Sequence, residues 1–124
     1  MIPKFRAWSR LASRMYVVNG LYFDRGMVQY ANNDNVIRFI KLENIILMQS
    51  TGLYDKNGKE IFEGDILASD NYPINGVVEF RTNLGMWVNH LKGYSYYEQL
   101  GNVASNKEII GNIYENPGLL EVEG

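Results

Sequence analysis

The chain has 124 residues, enough for one compact unit or two very small ones. Its 46% hydrophobic and 21% charged residues argue against a disordered chain, and the absence of cysteine excludes disulfides and Cys-ligated zinc. No apolar run approaches the roughly 18 residues of a membrane-spanning helix, and the N-terminus lacks the apolar core of a signal peptide, so we expect a cytoplasmic protein without membrane partners.

The charges are unevenly distributed along the chain, although the net charge is only −2. Every charge up to residue 14 is positive, and every charge from residue 108 onward is negative. The basic residues are Lys4, Arg6, Arg10 and Arg14. They are compatible with a solvated surface, with attraction between the two ends within or between chains, or with nucleic-acid contact. The acidic pI near 5.4 counts against a dedicated DNA-binding protein.

The N-terminal third predicts two β-hairpins. Lys4–Trp8 alternates polar and apolar residues like a half-buried strand, and Met15–Val18 is a second strand. Asn19-Gly20 indicates a turn, and residues 21–23 and 27–30 form the next hairpin. Further along, we predict a strand at Val36–Ile40, a helical turn at 41–44 and a strand at 45–49 that is apolar enough to be buried on both faces.

The central segment Met48–Leu67 reads as strand, turn, strand, turn, strand. Asn57-Gly58 predicts a type I′ hairpin turn, because both central residues of that turn need a positive φ. Gly64-Asp65 marks the second turn.

The C-terminal half continues the β pattern. We predict a loop at 68–75, strands at 76–80 and 86–91, an irregular stretch at 92–106 with a helical turn at 98–100, and a last strand at 108–114. Gly111 within this last strand indicates a bulge or a close backbone approach. Short strands at this spacing are typical of a small barrel or sandwich.

Three separated motifs resemble the YopX family of phage and prophage proteins. They are KFRAW at Lys4–Trp8, MQSTGLYDKNGKEI at Met48–Ile61 followed by EGDI at Glu63–Ile66, and IGNIYENP at Ile110–Pro117. The resemblance implies a mainly β protein with a small N-terminal β region packed on a C-terminal SH3-like β-barrel. A composition change near residues 42–46 places the two domains at 1–44 and 45–124. The resemblance also implies a phage or prophage origin and a bacterial cytoplasm. The family offers no catalytic residues to carry over.

No residue pattern predicts an active site or a cofactor. Glu63 and Asp65, with Asp55 or Asp70, could hold Mg²⁺, but a turn role for Asp65 and a solvated Glu63 explain them more simply. His90, the one histidine, lacks a motif partner for acid–base chemistry, and we expect it on the surface of a strand.

Aromatic side chains are the strongest remaining candidates for recognition. Trp87, Tyr94, Tyr96 and Tyr97 could pack in a core, form an interface, stack bases or dock peptides. We expect the tyrosines that flank Ser95 to point to different faces. Together with the four basic residues they form the candidate interaction surface. We predict a noncatalytic accessory module that self-associates and binds a host or phage protein, with nucleic-acid binding as the alternative and a metal-dependent hydrolase ranked below it.

Overall fold

The computed structural model describes residues 4–31, 34–69 and 72–121, without the side chains of residues 72 and 73. The strands are β1 (Phe5–Ser9), β2 (Arg14–Tyr22), β3 (Met27–Ala31), β4 (Ile37–Lys41), β5 (Ile45–Tyr54), β6 (Glu60–Phe62), β7 (Asp65–Ser69), β8 (Tyr72–Arg81), β9 (Met86–Leu91), β10 (Tyr97–Gln99) and β11 (Lys107–Asn112). One helix, α1 (Leu100–Val103), and 3₁₀ turns at Leu42–Asn44, Ala104–Asn106 and Pro117–Leu120 complete the described chain. The prediction of a mainly β protein is confirmed. No described helix has the length and apolarity needed to cross a bilayer.

The chain divides into two compact units, unit 1 (Met1–Ser50) and unit 2 (Thr51–Gly124). The antiparallel strands of unit 1 follow the order β4-β3-β2-β1-β5, and β6 is the next neighbour of β5. The second antiparallel sheet, in unit 2, has the order β10-β9-β8-β7-β11. The predicted domain limits, 1–44 and 45–124, concern independent folding and remain a prediction.

Buried and exposed side chains lie on opposite faces of β2, β3 and β4 in unit 1, but β5 reverses this pattern, because Met48 lies on the same face as Val17 and is buried. Ala7, Val28 and Tyr30 are buried on the other face, where the rings of Tyr16 and Tyr30 lie 4.2 Å apart. The opposite face carries exposed apolar side chains. This apolar face consists of Val17, Tyr22, Ile37 and Phe39.

Two predictions for unit 1 are wrong. Asn19-Gly20 is not a turn but lies inside β2, where the register shifts between Val18 and Gly20. A glycine is suited to this bulge, because a Cβ at Gly20 would lie 3.1 Å from the Gln29 side chain. β5 is not buried on both faces, since Gln49 is exposed and Met48 is buried. The helical turn predicted at 41–44 is confirmed as the 3₁₀ turn at Leu42–Asn44.

Unit 2 has a compact apolar core between its sheet and α1. Half-buried apolar residues, including Trp87, pack around it. The fully enclosed members of the core are Ile61, Leu67, Val78, Leu100 and Ala104.

The turn at Asn57-Gly58 forms, but not as type I′. Gly58 has φ of 79°, whereas Asn57 does not take a positive φ. The Gly58 N–H donates to the carbonyl of Asp55 (3.0 Å), and the Asp55 N–H donates to the carbonyl of Lys59 (2.8 Å). These bonds are typical of a type I turn extended by a left-handed glycine. The second turn is confirmed, with φ of 86° at Gly64.

The loop predicted at 68–75 is largely strand. β7 continues to Ser69 and β8 begins at Tyr72, while Asp70 and Asn71 lie outside the described residues. The helical turn predicted at 98–100 is displaced, since residues 97–99 form β10 and α1 begins at Leu100. The bulge predicted at Gly111 is confirmed by a register shift after Ile109.

Candidate functional site

A cavity of about 410 Å³ opens in unit 2 beside the loop that joins β9 to β10. Its lining combines four apolar or aromatic side chains with one acid and one base. We call this the tyrosine cavity, and it is lined by Ile74, Leu91, Tyr94, Tyr96, Glu98 and Lys107. Tyr94 and Tyr96 remain 56% and 59% exposed, so they are accessible to a ligand from solvent. The prediction that these two tyrosines point to different faces is wrong, because both line this cavity.

The charged residues of the tyrosine cavity form a largely buried ion pair. Lys107 Nζ lies 3.1 Å from Glu98 Oε1, and the side chain of Lys107 is only 7% exposed. Asn89 Nδ2 donates to the same Glu98 oxygen at 2.9 Å. Glu98 and Lys107 belong to β10 and β11, the two end strands of the five-stranded sheet. The ion pair therefore joins the two ends of the sheet.

Tyr97 lies on the other face of β10 from Glu98, because adjacent strand residues alternate in direction. Its ring centroid is 4.4 Å from that of His90 and 4.4 Å from the guanidinium of Arg81. His90 Nδ1 is 3.0 Å from Glu79 Oε1, and its Nε2 is 3.0 Å from the carbonyl oxygen of Tyr94. Tyr97 thus belongs to a polar surface cluster separate from the tyrosine cavity, and His90 lies on a strand surface as expected.

Trp87 is half-buried in β9 and packs against the core of unit 2. Its ring meets Phe80 edge-on, with centroids 5.3 Å apart and an interplanar angle of 71°. Trp87 therefore serves mainly in packing and does not line the tyrosine cavity.

The four basic candidates do not form one patch. Lys4, Arg10 and Arg14 are exposed, whereas Arg6 is half-buried. Arg6 pairs with Val17 and Arg14 pairs with Ser9, which places Arg6 and Arg14 on opposite faces of the sheet.

The acidic candidates serve the turn rather than a shared strand face. Glu63 and Gly64 form the turn before β7, so Glu63 and Asp65 are not neighbours on one strand. The buried Asp65 accepts the Phe62 N–H at 2.8 Å through Oδ2. Within residues 4–31, 34–69 and 72–121, no three metal-ligating side chains lie together. Asp70 is outside these ranges.

The comparisons with known proteins define the family. The YopX protein family model matches residues 4–121. The chain belongs to the YopX family. Protein EF1440 from Enterococcus faecalis has 30% sequence identity and a TM-score of 0.67, with 98% of this chain and 99% of that chain covered.

YopX from Bacillus subtilis shares the fold at 20% identity and a TM-score of 0.52, with 98% of each chain covered. No curated protein matches this sequence. The YopX assignment brings no catalytic family with it.

The residues that match the YopX motifs hold turns and strands together. Asp55 is buried and accepts three backbone N–H groups, from Asn57 and Lys59 at 2.9 Å through Oδ1 and from Ile109 at 3.0 Å through Oδ2. Burial opposes ionisation of Asp55, but the backbone donors Ile109, Lys59 and Asn57, together with the charge of Lys59, outweigh it and lower the pKa. The hairpin at 55–59 is thereby fixed to β11.

The C-terminal motif has the same structural role. Asn112 Oδ1 accepts the N–H groups of Tyr114 and Glu115 at 3.0 and 2.9 Å, and Asn116 Oδ1 accepts the Asn112 N–H at 3.2 Å. Gly111 leaves room for this arrangement, because a Cβ there would lie 2.5 Å from Asn116 Oδ1. Asp55, Asn112 and Asn116 of the YopX motifs therefore stabilise the local structure.

Sequence reasoning missed Glu98 and Lys107 as site residues. Glu98 lies within the stretch predicted as irregular and Lys107 directly follows it, and their ion pair joins the two end strands of a sheet. The one available signal was their proximity in sequence to the tyrosine cluster and the last strand.

Proposed function

We propose that this YopX-family chain is a noncatalytic accessory module of a phage or prophage that acts in the bacterial cytoplasm through self-association and binding of another protein. The observation that carries the proposal is the apolar face of unit 1. Val17 is 78% exposed there, and Ile37 and Phe39 are 57% and 53% exposed. Contiguous exposed apolar side chains on a sheet are typical of protein interfaces.

The position of the apolar face supports contact with a second copy. Ile37 and Phe39 lie on β4, the end strand of the sheet order in unit 1. A strand at the edge of a sheet presents backbone hydrogen-bonding groups to a further strand. Pairing of two β4 strands would cover the edge, and packing of the apolar faces of two copies would cover the exposed side chains.

We infer further that the C-terminal part is an SH3-like barrel. Its support is the antiparallel order β10-β9-β8-β7-β11, in which Glu98 and Lys107 bring the two end strands together. Closing a sheet on itself protects its edges, which leaves unit 1 as the part with an available edge.

Light scattering after size exclusion, at two protein concentrations, tests self-association. We expect a mass above that of the monomer, and Phe39→Ser should lower it by removing the largest wholly hydrocarbon side chain of the apolar face. Leu11→Ser is the matched control, because Leu11 is exposed in the turn between β1 and β2, outside that face. A monomer at both concentrations would reject self-association.

Nucleic-acid binding is the second candidate, and the charge of unit 1 favours it. Unit 1 contains seven Lys and Arg against three Asp and Glu. Exposed basic residues such as Arg10 and Arg14 could contact phosphates. Fluorescence anisotropy with labelled single- and double-stranded oligonucleotides at low salt tests this. Binding that is lost in Arg10→Ala with Arg14→Ala would favour it, and no binding would remove it.

A further inference from the structure

We propose that the tyrosine cavity binds an extended segment of a partner protein that places an aromatic or large aliphatic side chain beside a Lys or Arg. This inference rests on the proposed function and adds the class of partner. The cavity volume of about 410 Å³ lies within the range of ligand sites, and the lining residues all belong to unit 2.

The walls of the cavity suit an apolar side chain. Ile74 and Leu91 supply aliphatic surface, while the rings of Tyr94 and Tyr96 stand partly exposed at the cavity. Tyrosine rings provide large contact areas and lose little conformational entropy on binding. An aromatic or branched aliphatic side chain of a partner would be covered here on several sides.

The ion pair supplies a donor and an acceptor side by side. Glu98 receives Lys107 and Asn89 on the same oxygen, Oε1. An ammonium has three N–H donors and a carboxylate has two acceptor oxygens, so each group of the pair can take part in more than one hydrogen bond. A peptide group offers one carbonyl and one N–H, which matches this pair.

The charge of unit 2 selects against anionic ligands. Unit 2 contains five Lys and Arg against eleven Asp and Glu, so a phosphate or an acidic peptide would meet repulsion. A Lys or Arg next to the inserted side chain would be attracted instead. The observations thus favour a basic, apolar-anchored peptide over a nucleotide.

The test titrates four probes into the nitrogen-15-labelled full chain and follows backbone amide shifts by NMR. The probes are acetyl-Lys-Trp-Lys-amide, acetyl-Lys-Ala-Lys-amide, acetyl-Glu-Trp-Glu-amide and adenosine monophosphate. We expect saturable shifts around the tyrosine cavity with the first peptide, at a Kd of about 1 mM or below. Loss of the ring or reversal of the charges should weaken binding at least about tenfold.

Two variants locate the site. Tyr96→Ala should weaken binding of the first peptide about tenfold, and Tyr54→Ala is the matched control because Tyr54 is an exposed tyrosine outside the cavity. Glu98→Gln should weaken binding as well, since the amide is uncharged and replaces one of the two acceptor oxygens with a donor.

Equal binding of the alanine peptide, stronger binding of adenosine monophosphate, shifts away from the cavity, or no saturable shift would each overturn the inference. Light scattering on the same samples keeps this outcome separate from the proposed function. If the chain self-associates but does not bind the peptides, only the cavity proposal is rejected. If the chain is monomeric and binds the peptides, only self-association is rejected.

Discussion

Units 1 and 2 of this chain use their apolar residues differently. Unit 2 encloses a core around Leu67 and Leu100, and its turns are held by buried carboxylates such as Asp55. Unit 1 leaves Val17, Phe39 and their neighbours exposed on the apolar face formed by β2 and β4. The charges differ in the same way, with a basic surplus in unit 1 and an acidic surplus in unit 2.

This difference between the two units suggests that different residues provide stability and recognition. In unit 2, side chains of the YopX motifs accept hydrogen bonds from backbone N–H groups. The binding site that we propose lies elsewhere, in the tyrosine cavity. In unit 1, Val17 and Phe39 are largely exposed and contribute little to a core, and contact with another molecule is the role that we propose for them. Substitutions should therefore divide into a group that changes stability and a group that changes association.

The largest expected effect is in the core of unit 2. Leu100→Ala should destabilise the chain by about 3 kcal/mol, because the fully buried Leu100 leaves a cavity between α1 and β9. Urea unfolding would measure this, with Leu11→Ala as the control, since Leu11 is 95% exposed. A loss of similar size in both variants would contradict the contrast between enclosed and exposed leucines.

The second largest expected effect is that of Asp55→Asn, and the resulting loss of stability depends on pH. We expect a loss of about 2 kcal/mol at pH 7, because an amide cannot accept N–H groups on both of its side-chain ends. The folded pKa of Asp55 lies below the unfolded value of about 3.9, so the carboxylate stabilises the fold above that pH and its contribution disappears as the pH falls through the folded pKa.

The difference in unfolding free energy between the natural chain and Asp55→Asn should therefore be full at neutral pH and shrink in acid. Chemical unfolding at several pH values measures it. A difference that grows in acid would show that Asp55 is not held as a carboxylate.

Much of this fold could be predicted from sequence, because it depends on local chemistry. The alternation in Lys4–Trp8, the glycines at 58 and 64 and the bulge at Gly111 each require a particular backbone, and the structure has strand, turns and bulge there. The turn predicted at Asn19-Gly20 was wrong because a bulge and a turn favour the same residue types. Sheet pairing of β2 with β3 on both sides of that dipeptide decided between them.

The candidate site was harder to predict because it depends on distant pairing. The tyrosines were singled out as a cluster of aromatic residues, but Lys107 lines the cavity because its ion pair with Glu98 joins β10 and β11, the two end strands of the sheet. Strand pairing also places Arg6 and Arg14 on opposite faces of the sheet, which could not be read from their sequence spacing.

Glycine substitutions should give a smaller loss of stability, and its size should differ between a tightly packed glycine and an exposed one. Gly111→Ala should cost about 1.5 kcal/mol, because the added methyl group displaces the Asn116 side chain that accepts the Asn112 N–H. Gly118→Ala is the matched control, since a Cβ there meets nothing within 4 Å. Thermal melts that rank Gly118→Ala as the more damaging change would contradict the structural role of the C-terminal motif.

The smallest expected change in stability is at the apolar face of unit 1. Val17→Thr keeps the branched shape of the side chain and should alter the unfolding free energy by less than about 0.5 kcal/mol, because Val17 is largely exposed. The same change should weaken self-association, which light scattering measures, since the added hydroxyl group would have to be desolvated at an interface. A variant with unchanged mass and reduced stability would mean that Val17 contributes to the packing of unit 1. The proposed division between a unit that provides stability and a unit that provides self-association would then be wrong.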